Sequence, residues 1–118
     1  MSFVPDEEAD DDALSLADFR IEGTALVVRS GGGRAGETFA VTGGHMTIGR
    51  SPECEIFLDD VTVSRRHALV VRGGDGCTIE DLGSLNGTYV NRRRVERAQL
   101  EDGDEVQIGK YRLTFLDH

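Results

Sequence analysis

Met46-Thr47-Ile48-Gly49-Arg50-Ser51-Pro52, then Val63-Ser64-Arg65-Arg66-His67, then Gly83-Ser84-Leu85-Asn86-Gly87-Thr88 are the three clusters on which the reading of this sequence turns. Each stands beside a short run rich in Ile, Val, Leu or Phe, where a β-framework places its loops. Two arginines, a hydroxyl and a carboxamide on a Gly-containing turn form a set of donors with few matching acceptors. Gathered at one end of a β-sandwich, such a set fits a doubly charged, three-oxygen anion on a partner: a phosphate.

Outward from these clusters the pattern has period two. Ala25-Leu26-Val27-Val28-Arg29 reads as a strand, 30–36 as a Gly-rich hairpin and Thr38-Phe39-Ala40-Val41 as the returning strand. Met46 to Gly49 is a third strand and Ile56-Phe57-Leu58 a short buried one, with a long loop from Asp59 to His67. Ala68 to Arg72 pairs with Cys77 to Leu82 across Gly73-Gly74-Asp75-Gly76. Beyond the Asn86-Gly87 turn come Thr88-Tyr89-Val90, a weak strand around Val95, then Glu105 to Ile108 and Tyr111 to Phe115. No segment carries a sustained 3.6-residue stripe. Ten or so short strands with turn signals at regular intervals predict an all-β sandwich.

A chain of 118 residues, 38% hydrophobic and 30% charged, has the size and composition of one soluble domain with a short extension. No apolar run approaches the ~20 residues of a membrane span, and the N-terminus is acidic, unlike a secretory leader; the expected location is cytoplasmic. Cys54 and Cys77 lack CxxC spacing and there is no paired His-x-x-x-His, so neither a zinc site nor a disulfide framework is indicated and two reduced, half-buried thiols are expected. A net charge of -9 argues against nucleic-acid and anionic-membrane binding, which need a basic face. Residues 1–20 hold seven acids against Arg20, which supplies -6 of that charge and leaves -3 to the rest. This stretch buries too little to offset chain entropy and is expected to be a disordered acidic tail, with 21–118 forming the domain.

Other chemistries fit poorly. Gly31-Gly32-Gly33-Arg34-Ala35-Gly36 satisfies G-x-G-x-x-G, but a dinucleotide fingerprint must open a helix, and here an alternating β-pattern follows at once. No G-K-[ST] marks a phosphate loop, so no cofactor is expected. Ser64 and His67 as nucleophile and base would lack a third group to orient the ring, and Gly83-Ser84-Leu85-Asn86-Gly87 has its serine one place off the G-x-S-x-G elbow. His67 reads as a structural histidine bonded to loop backbone, and the chain as a non-enzyme. Arg92, Arg93, Arg94 and Arg97 read as a solvated hairpin edge or a rim that steers acidic partners.

Taken together and in order, Gly49-Arg50, Ser64-Arg65-x-His67 and Asn86-Gly87-Thr88 followed by Asn91, with Gly103-Asp104 before a last strand, resemble the forkhead-associated (FHA) domain over residues 24–116. The resemblance implies an eleven-stranded β-sandwich whose loops at one end bind phosphothreonine in a partner. Carried over, it implies that Arg50, Ser64 and Arg65 contact the phosphate and that Asn86 bonds the peptide backbone, while Gly49, His67 and Gly87 shape the loops. It also implies signalling downstream of a Ser/Thr kinase.

The runs Ile56 to His67, Gly83 to Asn91 and Gly103 to Lys110 are further similar to small actinobacterial regulators of the GarA and OdhI type. In that group a kinase phosphorylates a tail threonine and the tail occupies the domain's own site; otherwise the domain binds and regulates enzymes of 2-oxoglutarate and glutamate metabolism. That implies, as the alternative reading, a phosphate-independent regulator of such enzymes using the same loop surface. The chain departs from the pattern in having no threonine before Thr24.

Overall fold

A computed structural model describes residues 23–117; the expected acidic tail lies outside the described residues. Among these, every regular element is a strand: β1 (Thr24–Ser30), β2 (Thr38–Ala40), β3 (His45–Gly49), β4 (Ile56–Phe57), β5 (Ala68–Gly73), β6 (Gly76–Asp81), β7 (Thr88–Val90), β8 (Arg93–Val95), β9 (Arg97–Leu100), β10 (Glu105–Ile108) and β11 (Tyr111–Asp117). They form a six-stranded sheet in the order β2-β1-β11-β10-β7-β8 and a five-stranded sheet in the order β4-β3-β5-β6-β9.

Period-two burial puts the apolar set of each strand between the sheets. Tyr111, Leu113 and Phe115 of β11 point inward while Arg112 points out; Val106 and Ile108 of β10, Met46 and Ile48 of β3, and Cys77 and Ile79 of β6 alternate in the same way. Phe115, Leu26, Ile48, Ile56 and Ile79 are completely buried. Cys54 and Cys77 are free thiols, and both are buried more deeply than the expected half. The Gly31–Gly36 stretch is the loop of the β1–β2 hairpin, as its strand context required.

Two differences from the sequence reading matter. Arg97 to Leu100, beyond the weak strand expected around Val95, is a further strand, β9, which pairs with β6 from Cys77↔Leu100 to Glu80↔Arg97. Asn86-Gly87, which alone reads as a hairpin turn, lies instead in a loop that carries the chain from β6 in one sheet to β7 in the other.

Register fixes which end is which. β1 pairs antiparallel with β11 from Thr24↔Asp117 to Ser30↔Arg112, so the outer ends of the described chain lie side by side. At the opposite pole sit the β3–β4, β4–β5, β6–β7 and β10–β11 connections. The long β4–β5 loop is tethered there from within: Leu58 and Val63 are buried to 0% and 1% exposure, which pins the backbone on both sides of its polar tip.

Gly49, the last residue of β3, shows how tightly this pole is packed. A Cβ there would collide with the carbonyl oxygen of Arg65 and lie 2.8 Å from its carbonyl carbon and 2.9 Å from Cys54 Sγ. The glycine is required by close backbone approach, not by an unusual φ. Replacing it, Gly49→Ala, should destabilise the domain by about 1–3 kcal/mol through forced separation of β3 from the β4–β5 loop. A urea midpoint unchanged from wild type would contradict this.

Candidate functional site

The β4–β5 loop is the hub onto which the other loops are bonded. Arg50, directly after β3, donates its backbone N–H to the Ser64 carbonyl at 2.9 Å and its side-chain Nε–H to the Val63 carbonyl at 3.0 Å. One edge of the guanidinium is thereby clamped, and its orientation is set. Ser51 N–H bonds the Arg65 carbonyl at 3.2 Å. From the β6–β7 loop, Leu85 N–H donates to Ser64 Oγ at 3.0 Å and Asn86 Nδ2–H to the Thr62 carbonyl at 3.0 Å. Arg50, Ser64 and Asn86, separated by up to 36 positions in sequence, thus converge on one four-residue segment. Arg65 joins them through its backbone; its side chain is exposed.

His67 is completely buried between the two loops. Its Nδ1 accepts the Ser64 N–H at 3.1 Å, which assigns the proton to Nε2, and Nε2–H donates to the Gly87 carbonyl at 2.8 Å. Both ring nitrogens are consumed by backbone. The imidazole therefore faces the amide of Ser64 and not its hydroxyl, and the pair does not form a nucleophile and base. Gly87 itself has φ +89°, where any residue with a side chain is strained, and a Cβ there would also have to displace the Arg94 side chain, whose Nε lies 2.8 Å away.

Residues that the sequence reading passed over hold the loops in shape. Asp81, at the end of β6, receives Gly83 N–H and Ser84 N–H on Oδ2, both at 3.0 Å, and Ser84 Oγ–H and Thr88 Oγ1–H on Oδ1, at 2.5 and 2.8 Å. Burial by itself would raise its pKa, but the hydrogen bonds from Ser84, Thr88 and Gly83 outweigh burial and lower it. Ser84 Oγ in turn accepts the Gly87 N–H at 2.9 Å, completing the scaffold of the Asn86 loop. The signal was present as Asp81-x-Gly83-Ser84, the spacing of an Asx-type turn.

On the other side, Asp60 Oδ2 accepts both N–H and Oγ1–H of Thr62, and Oδ1 pairs with Lys110 Nζ at 3.0 Å. Thr62 Oγ1 receives the Lys110 N–H, which ties the hub to the β10–β11 turn. Hydrogen bonds from Thr62, then from Lys110, pull the Asp60 carboxyl from its ordinary 3.8 to about 2. Asp60 is thus engaged by lysine and threonine. Arg66 faces elsewhere, lining a shallow depression with Thr47, Ser51, Glu53, Cys54 and Glu55. Among the described residues no group of three or more His, Cys, Asp or Glu could hold a metal ion.

A chain whose β-sandwich presents Gly-Arg, Ser-x-x-His and Asn-Gly from three interbonded loops has a known counterpart, and the family model for the FHA domain matches residues 46–109. The chain belongs to the FHA-domain family. Over 96 residues it is 53% identical to the oxoglutarate dehydrogenase inhibitor of Corynebacterium jeikeium, covering 81% of this chain and 67% of that protein. Over 113 residues it is 47% identical to the glycogen accumulation regulator GarA of Mycobacterium tuberculosis, covering 96% of this chain and 70% of that one. Among solved structures, an FHA domain studied for phosphothreonine-dependent interactions superposes with a TM-score of 0.75 at 33% identity, covering 81% of this chain and 97% of the other.

Two outcomes follow for this FHA domain. Asp81→Ala leaves four donors without their acceptor, two of them on the buried Ser84 and Thr88 side chains, and should cost about 2–3 kcal/mol in urea unfolding; a cost under half a kilocalorie would rule out the scaffold role. Because folding lowers the Asp60 pKa, its network contributes stability above the ordinary carboxylate range and loses it as pH falls toward about 2. The stability gap between wild type and Asp60→Asn, measured by urea melts, should therefore be constant above about pH 4 and close between there and about pH 2.

Proposed function

We propose that this chain is a non-catalytic module that binds phosphothreonine-containing proteins and regulates them downstream of a Ser/Thr kinase. The observation that carries this is the convergence of Arg50, Ser64 and Asn86 on the Thr62–Arg65 segment through direct hydrogen bonds. Arg50, oriented by its bond to Val63, turns its remaining donors to the phosphate. Ser64 Oγ accepts from Leu85 and keeps its own O–H to donate. Arg65 adds a second cation, and Asn86 bonds the peptide backbone. Gly49, His67 and Gly87 act by holding these groups in place. No cofactor enters the reading, and the module is cytoplasmic, a setting consistent with two free thiols. Residues 21–118 form the binding domain and 1–20 an acidic leader.

Charge-assisted hydrogen bonds contribute about 1.5–3 kcal/mol each, so two arginines and a hydroxyl supply roughly 5–9 kcal/mol before ordering costs. Micromolar affinity needs about 8 kcal/mol, which makes contacts to the flanking peptide necessary.

A second reading is favoured by one feature of the same pole. Val61 and Leu85 are 90% and 84% exposed, and they neighbour Thr62 and Asn86, which are bonded to each other. Two protruding apolar side chains beside the polar pocket suit docking onto a folded protein, each contributing about 1.5–3 kcal/mol on full burial. Such docking would need no phosphate; the name of the Corynebacterium jeikeium relative suggests oxoglutarate dehydrogenase as the kind of partner, and the resemblance in sequence extends this to enzymes of 2-oxoglutarate and glutamate metabolism.

Calorimetry separates the readings. Arg50→Ala and Ser64→Ala should each remove measurable binding of a phosphothreonine peptide while leaving the thermal midpoint within a few degrees of wild type. Retained affinity in both variants would refute the phosphate assignment; binding of a dephosphorylated enzyme partner that is lost in Val61→Asp would establish the second mode.

A further inference from the structure

Beyond the phosphate loops, a groove of about 480 Å³ runs from Thr62 and Asn86 over the outer face of the six-stranded sheet. Tyr89, Gln107 and Arg112 form a cross-strand row on that face, Tyr89 opposite Gln107 and Gln107 opposite Arg112. Lys110 stands at the end nearest the loops, and Arg92 lines the groove from the β7–β8 turn. In a chain of net charge -9, three cations line this surface.

The acids that reach them lie lower. Glu105 of β10 is approached by Arg92 Nε at 3.9 Å and by Arg112 Nε at 3.6 Å, but its side chain is only 29% exposed against 73% for Arg92 and 47% for Arg112. Asp60, paired with Lys110, is 14% exposed against 47% for the lysine. The carboxylates therefore seat the cations from beneath and leave the forward edges of both guanidinium forks toward solvent.

The turn adds an independent observation. Between Val90 and Arg93, which are paired, Asn91 and Arg92 have φ of 51° and 71°, a two-residue hairpin in the left-handed region at both positions. Asn91 is fixed there by bonds to Asp104 and to the backbone N–H and carbonyl of Glu105. Arg92 occupies the second position, where glycine fits freely and a side chain is strained. Its side chain meets only the long contact to Glu105 as an ion pair and otherwise faces the groove. A strained non-glycine residue that gives the fold so little points to a role in recognition.

We propose that this groove is a second recognition surface for acidic side chains on the phosphorylated partner, with Arg92 and Arg112 as its readers. It rests on the phosphothreonine reading. The three residues of β7 and the turn residue Asn91 separate the Asn86–Gly87 end of the groove from Arg92, about 13 Å at 3.3 Å per residue, so the acids recognised lie some four or more positions from the phosphothreonine.

The test uses fluorescence-labelled phosphothreonine peptides in three forms: two acids placed four to six residues before the phosphothreonine, two acids placed the same distance after it, and amides at both places. Wild type should bind one acidic form roughly fivefold more tightly than the amide form at low salt, the scale of one or two exposed ion pairs, with the gap shrinking as salt rises. Arg92→Gly combined with Arg112→Gln should bring that gap within twofold while affinity for the amide form stays put. Arg92→Gly should also keep or raise the melting temperature, because glycine relieves the turn. Equal binding of all three forms by wild type, or a gap that survives the double substitution, overturns the proposal while leaving the phosphate reading intact if Arg50→Ala still abolishes binding. Failure of every phosphopeptide to bind wild type overturns both.

Discussion

A single buried imidazole joins the two loops that carry the proposed recognition site. His67 receives the amide of Ser64 at one ring nitrogen and donates to the carbonyl of Gly87 at the other, so only the neutral ring in one tautomer satisfies both partners. Those two peptide groups belong to different connections, 20 residues apart along the chain from the histidine to Gly87. Their separation is thereby set to the width of a ring. Once it is set, the hydroxyl of Ser64 and the amide of Leu85 fall within bonding distance, and the carboxamide of Asn86 reaches the carbonyl of Thr62.

Around that link the polar pole is built from acceptors that organise and donors that are left to act. Asp81 gathers four donors of its own loop, and Asp60 gathers Thr62 and Lys110. Each carboxylate orders a loop. Arg50 is tied by carbonyls and not by a carboxylate, which orients the guanidinium without cancelling its charge. A phosphate would meet preorganised donors, and little of its binding energy would be spent on ordering them.

The sandwich was legible in the sequence because β3, β6, β10 and β11 alternate apolar and polar residues: Tyr111, Leu113 and Phe115 could be read inward from the letters alone. β9 was less visible because Arg97-Ala98-Gln99-Leu100 offers one large apolar residue, and its strand character comes from pairing with β6. The Asn86 loop looked like a hairpin because local turn chemistry does not say which sheet the next strand joins. Arg50, Ser64 and Asn86, which the loops bring together, could be singled out by residue type and spacing, and Asp81 carried a local turn signal with Gly83 and Ser84, whereas Thr62 carried none. Its importance arises from Asn86 and Lys110, which meet it from distant parts of the chain, a property of the assembled loops and not of a local pattern.

The antiparallel seam of β1 with β11 has a practical meaning. Thr24 and Asp117 stand opposite each other at the pole away from the recognition loops, roughly 20 Å back along the strands. A fluorophore, a biotin or a surface attached through either end would leave the donor cluster facing outward. The domain can therefore be tethered as a capture reagent, or inserted between two reporter proteins whose attachment points would be neighbours, without masking what it grips.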